Sequence, residues 1–168
     1  MHMRARHQSL FTVVFAVFAV ACSHVTEPSE PQATVVVQRD TLVASVVSAG
    51  AVDWMQFTIP LAIHNTTSAP LTFDICFSSI DTQRSGDWQS VWSPYCALTT
   101  GSNAPIQPGE TREVSVSIVA SIQGPGGPPW GSATVNGTYR FTAGLLPSGF
   151  VGAIPRIGSN AFTLMRGN

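Results

Sequence analysis

Between Val52 and Asn65 apolar side chains recur at every second position. In VDWMQFTIPLAIHN, Met55, Phe57, Ile59, Leu61 and Ile63 point one way, and Trp54, Gln56, Thr58, Ala62 and His64 the other. A period of two belongs to a strand with one buried face; a helix would need a period near 3.6. The pattern returns further along. LTFDICFSS (71–79) sets Leu71, Phe73, Ile75 and Phe77 on one side, with Cys76 on the other. Val114, Val116 and Ile118 form another row, and Tyr139, Phe141, Ala143 and Leu145 a third. ATVVVQ (33–38), TLVASVVS (41–48), WQSVW (88–92) and SNAFTLMR (159–166) complete the extended segments. NTTSAP (65–70), QPGE (107–110) and Asn136-Gly137 separate them with turn chemistry. Pro60 has no N–H for a ladder, so a bulge or an edge is expected there. The expected fold is all-β: seven to eight strands packed as an antiparallel β-sandwich over residues 33–168.

The 168 residues suffice for one domain with a real core. Only 10% are charged, so Ser, Thr, Asn, Gln and backbone must supply the polar surface. All the basic residues are Arg, and the net charge is −1. Such a chain has no electrostatic footprint for nucleic acid.

The first residues carry a different signal. MHMRARHQ is positive through Arg4 and Arg6, and LFTVVFAVFAVA (Leu10–Ala21) is apolar except for Thr12. This is the charged and hydrophobic order of an export signal, too short for a membrane span of ~20 residues. Ala19-Val20-Ala21 supplies a small-residue cleavage site, and residues 1–21 are expected to be removed. That leaves six Arg against nine Asp and Glu, a formal charge of −3. AVAC (19–22) resembles the lipobox of bacterial lipoproteins. The resemblance implies acylation of Cys22 and a membrane anchor, with Ser23 compatible with sorting to an outer membrane. SHVTEPSEPQ, rich in Pro, Ser and Glu, reads as a flexible tether over 22–32. The alternative is ordinary cleavage after Ala21 and secretion with Cys22 free.

With Cys22 lipidated, Cys76 and Cys96 remain and form an even pair. Outside the cytoplasm they are expected to be oxidised to a disulfide, stabilising by about 3 kcal/mol through a loop of ~20 residues. Cys76 lies off the apolar row, so the bridge should tie across a sheet or to a loop. A zinc site would need two more ligands; no His lies between the cysteines, and His64 is the only His beyond residue 24. No metal and no cofactor is expected.

The order LAIHNTTSAPLTFDICF, WQSVW, IQPGET, GTYRFTAG, SNAFTL is similar to the bacterial immunoglobulin-like domains of lipoproteins and envelope proteins. The match runs over roughly residues 50–166. In that family an Asn-x-Thr/Ser strand end precedes an apolar–polar strand, a Pro-Gly-Glu turn leads into the next, and Gly-x-Tyr-Arg opens a late one. These motifs imply an immunoglobulin-like sandwich and no activity. The chain is also loosely similar to BsuPI-type proteinase-inhibitor domains, which share the Asn-ended strand and the Pro-Gly turn.

Catalytic inventory is thin. His64 stands at a strand end before a turn, where a solvated or turn-bonded His is the ordinary reading, and no Gly-x-Ser-x-Gly elbow exists. Asp74, Asp81, Asp87, Glu110 and Glu113 read as solubilising groups, without the density of a calcium loop. No residue is therefore assigned a catalytic role. The prolines of GPGGPPWG delete the N–H donors that cradle phosphate, but the segment places Trp130 either on an exposed tip or over a sheet end. Trp88, Trp92 and Tyr95 precede Cys96, either as a stacking platform or as packing beside the disulfide. These four aromatics are the candidate binding residues. The functional expectation is a non-catalytic envelope lipoprotein, held to the membrane by its lipid, whose domain binds a protein or glycan. The alternative is an extracellular protease inhibitor with 123–131 as its reactive segment.

Overall fold

A computed structural model describes residues 33–96, 104–123, 126–149 and 152–167. Eight strands run in chain order: β1 (Thr34–Val37), β2 (Thr41–Ala49), β3 (Val52–His64), β4 (Leu71–Arg84), β5 (Asp87–Trp92), β6 (Thr111–Gln123), β7 (Gly137–Pro147) and β8 (Arg156–Arg166). The fold is all-β, as expected.

Two sheets form, and β2 joins them. Its second half, Ser45 to Ala49, pairs antiparallel with β3 in the first sheet, beside β1 and opposite β6. Its first half, Thr41 to Ala44, pairs with β8 in the second, which continues β8-β7-β4-β5. The β2–β8 pair is parallel, the one departure from the antiparallel expectation among the described strand–strand pairings. In immunoglobulin terms β3 and β6 occupy the places of strands B and E. β4, β5, β7 and β8 take those of C, C′, F and G, and β1–β2 is a first strand split between sheets.

The core is built from the alternating rows. Met55, Phe57, Ile59, Leu61 and Ile63 are buried on β3, with Val116, Ile118 and Ala120 beside them on β6. Tyr139, Phe141, Ala143 and Leu145 on β7 and Phe162 and Leu164 on β8 join them in a single apolar cluster. Each of the Val, Leu, Ile, Phe and Met side chains among them contributes about 1.5–3 kcal/mol.

Pro60 sits inside β3 without a bulge. Its ring nitrogen faces the flank where β1 has ended and β2 has not begun: β1 pairs up to Leu61 and β2 starts at Gln56. The missing donor therefore falls on a local edge. Its carbonyl accepts the Gln38 N–H at 2.9 Å.

Two motifs lock the ends. The Asn65 side chain is buried and donates to the carbonyls of Ala69 (2.8 Å) and Ile106 (2.9 Å). Its oxygen accepts the Thr67 N–H and hydroxyl. Pro108-Gly109 forms the facing turn, with Gly109 at φ 74°, and the Gly109 N–H donates to the Asn65 carbonyl. At the opposite corner the Tyr139 hydroxyl donates to the Thr134 carbonyl at 3.1 Å. A tyrosine at the start of strand F bonded a few residues upstream is the tyrosine corner of immunoglobulin-like sandwiches.

β4 breaks its alternation. Between Asp74, opposite Gly144, and Ser79, opposite Thr142, β4 advances five residues while β7 advances two. The Asp74 carboxylate accepts the Cys76 N–H at 2.9 Å, and the Ser78 hydroxyl bonds the Asp74 carbonyl and the Gly144 N–H. Gly144 permits this close approach, since a Cβ there would lie 2.4 Å from the Phe77 Cβ. The bulge resets the parity. Leu71 and Phe73 are buried, but Phe77 is 41% exposed, and Ser79, Ile80 and Asp81 are buried in its stead. The single apolar row expected over 71–79 is thus corrected to two residues in the core and a third, Ile75, packed partly against it.

Candidate functional site

The four aromatic candidates separate. Trp130 is 5% exposed, with its ring 5.2 Å from Tyr139 and 6.2 Å from Phe57, centroid to centroid. Its indole N–H donates to the same Thr134 carbonyl that Tyr139 uses. Trp92 is 4% exposed and donates to the Val119 carbonyl at 3.2 Å. Both rings belong to the core cluster, and each also borders a surface cleft. Trp88 is half-buried beneath the Arg140 guanidinium, whose carbon lies 4.6 Å from its ring centroid. Tyr95 is 70% exposed. Trp92 and Tyr95 border one shallow cleft of about 280 Å³, while Trp88 lies under Arg140 and is not among its walls.

From Pro128 to Gly131 the glycine-proline segment runs along the sandwich. The Ser121 N–H donates to Pro128, the Trp130 N–H returns to Ser121, and the Gly131 N–H reaches Val91. Gly127 lies against Trp54, where a Cβ would come within 2.4 Å of the ring. The backbone of Pro128 to Gly131 is thus bonded to β6 and to Val91.

Cys76 and Cys96 form a disulfide, with Cα atoms 5.7 Å apart, tying the β4 bulge to the segment after β5. Cys22, the signal 1–21 and the tether 22–32 lie outside the described residues. The His64 Nδ1 meets the Thr111 hydroxyl at 3.0 Å across the β3–β6 pair. Among the described residues no group of three His, Cys, Asp or Glu could hold a metal ion.

Asp81 is the residue that sequence reasoning misplaced. It is buried, where a solubilising group was expected, because the bulge turns it inward beside polar partners. Its carboxylate accepts the hydroxyls of Ser79 (2.7 Å) and Thr142 (2.6 Å) and the Arg140 Nε–H (3.2 Å). Arg140 is clamped between Trp88 and Gly158; a Cβ at Gly158 would come 3.1 Å from its guanidinium. Arg156 donates to the Ser79 hydroxyl at 2.6 Å. No local motif marks this cluster, since Ser79 alone among the partners is local and Arg140 and Thr142 lie 59 and 61 residues from Asp81.

Glu110 belongs to the turn. The Gln107 backbone N–H, then the Arg112 guanidinium, hold its carboxyl below the usual carboxylate range. Arg112 also donates to the carbonyls of Ala104 and Pro105, fastening the chain that enters β6.

The outer side of β6 is a second feature. Among the described strands this 13-residue strand pairs with β3 alone, and its outer side is met at Val119 by the Trp92 indole and at Ser121 by the backbone from Pro128 to Trp130. The Pro60 carbonyl points to β1, so Ser115, opposite Pro60, directs its own N–H and C=O away from β3. The same parity applies to Glu113 and Ser117. Beside this edge lies a cleft of about 440 Å³ with Phe73, Ile75, Ile106, Val114 and Val116 in its walls.

No family model matches the chain, and no curated protein matches it. Among solved structures it is similar to one described as "X-ray structure of Northeast Structural Genomics Consortium target SoR45". The two share 15% identity at a TM-score of 0.42, over 79% of this chain and 86% of the other.

Proposed function

We propose that the chain is a non-catalytic, lipid-anchored envelope protein whose immunoglobulin-like domain binds a partner protein by strand addition along β6. The outer edge of β6 carries this reading. From Val114 to Ala120 it has no charged side chain, no proline and no bulge, the devices that normally protect an edge; the bulge comes only at Ile122, beyond the segment held by Pro128 to Trp130. Outward peptide groups at residues 113–117 offer a ladder for a short extended segment, and the apolar cleft beside them receives alternate side chains. The occupant is an uncharged segment of a partner protein with apolar residues at every second position. A glycan fits less well, because Trp92 and Trp130, which would stack against sugar rings, are buried. Support for the anchored, exported half of this reading comes from the signal-like order of residues 1–21 with Cys22 after it, and from the Cys76–Cys96 disulfide, a bond that persists outside the cytosol.

Two experiments test the two halves. Labelled palmitate should enter the protein and be lost in Cys22→Ala; labelling that survives the substitution overturns the anchor. Peptide libraries selected on the purified protein should return alternating apolar segments. Ser117→Pro removes one outward N–H and leaves the β3 ladder intact, so it should weaken the selected peptides at least tenfold with the fold preserved. Unchanged affinity in both Ser115→Pro and Ser117→Pro, or failure to select any such peptide, overturns strand addition.

A further inference from the structure

The β4 bulge opens a second recess, away from β6. It is a cleft of about 410 Å³ walled by Cys76, Phe77, Ser78, Ser93, Ile154 and Arg156. Its chemistry follows from the buried cluster behind it. The Asp81 carboxylate is neutralised by Arg140 and also accepts the hydroxyls of Thr142 and Ser79. The Ser79 hydroxyl, donating inward to Asp81, presents its lone pairs to Arg156, which donates to it at 2.6 Å. Arg156 is thereby oriented by a carboxylate it does not pair with. Among the described residues no Asp or Glu lies within ion-pair distance of it. The cluster of Asp81, Arg140 and Arg156 is left with one uncompensated positive charge, held at the cleft wall on a planar donor fork. Phe77 stands beside it, 41% exposed, on backbone fixed by the disulfide and by the contact with Gly144.

We propose that this cleft binds a carboxylate attached to an apolar or aromatic group. The Arg156 guanidinium takes the carboxylate through the donors that Ser79 leaves unused, in the bidentate geometry arginine favours. The Phe77 ring covers the apolar part. Asp81, Ser79 and Arg140 are positioning residues, because they set the guanidinium without reaching the ligand. The carboxylate can belong to a free small acid or to the end of a peptide.

The test uses phenylacetate as probe and phenylacetamide as its uncharged twin, titrated into ¹⁵N-labelled purified protein. Phenylacetate should move the amide signals of Phe77, Ser78 and Arg156 saturably, and phenylacetamide should bind at least tenfold more weakly. Arg156→Gln should weaken phenylacetate at least tenfold, and Arg156→Lys, which keeps the charge and loses the fork, should fall between. Phe77→Ala, outside the core, should weaken binding severalfold and serves if the Arg156 variants do not fold. A peptide ending in Phe with a free carboxylate, compared with its amidated form, separates the sources: tenfold tighter binding than phenylacetate assigns the site to peptide ends, and weaker binding assigns it to small acids. Equal binding of the charged and uncharged probes, no response in the cleft, or wild-type affinity in Arg156→Gln or Phe77→Ala overturns the proposal.

Discussion

β3 and β4 start from the same kind of sequence and reach different ends. Both alternate apolar with polar residues, and both contribute to one core. β3 keeps its register with β6 unbroken from Trp54 to His64, and every apolar residue of its row is buried. β4 loses register between Asp74 and Ser79, and the row divides. The regular strand yields stability, and the side chains it exposes, Gln56 and Thr58, are uncharged. The broken strand yields an exposed ring, a buried carboxylate and a hydroxyl, Ser79, that receives Arg156 from β8. An interrupted ladder is where a sandwich can place chemistry that alternation alone would hide.

The sharpest way to break the contrast is at its stable end. Leu61→Ala removes a fully buried side chain from the middle of β3 and should cost about 3–5 kcal/mol in denaturant unfolding. Next, Asp81→Asn keeps the shape of the buried group and removes the charge facing Arg140. It should cost roughly 2–3 kcal/mol, and calorimetry at neutral pH reads it as a lowered Tm. Gly144→Ala forces a methyl against the Phe77 backbone and should cost about 1–2 kcal/mol. Hydrogen exchange should place the loosening in β4 and β7 and leave β3 protected. Smallest of all, Phe77→Ala should change stability by less than about 0.5 kcal/mol, although sequence alone assigns Phe77 to the same row as Phe73. Equal costs for Phe77→Ala and Leu61→Ala would erase the distinction between the strands.

The same contrast explains what could be read from residues alone. Alternation in 52–65 and 137–147 names the core because a regular strand turns every second side chain inward, whatever its partners. The turns at Asn65 and Gly109 are legible because their chemistry is local. The disulfide is legible by counting. Asp81 is not, because its burial depends on a register change several residues before it and on Arg140 and Thr142 from a distant strand. Trp130 could be weighed only as tip or cap; its neighbours Phe57 and Tyr139, which decide the matter, are brought to it by the packing of the sandwich. The outward peptide groups of β6 are equally invisible beforehand, since an edge is defined by which strands fail to arrive.

The parallel pairing of β2 with β8 has a mechanical consequence. Four successive residues, Thr41 to Ala44, lie abreast of Thr163 to Arg166. A pull transmitted through β1 into the start of β2, opposed at the far end of β8, draws these two strands along their length in opposite directions. The bonds between them then carry the force together, as stitches in a seam do, so the domain should resist stretching between its ends better than it resists peeling from one side.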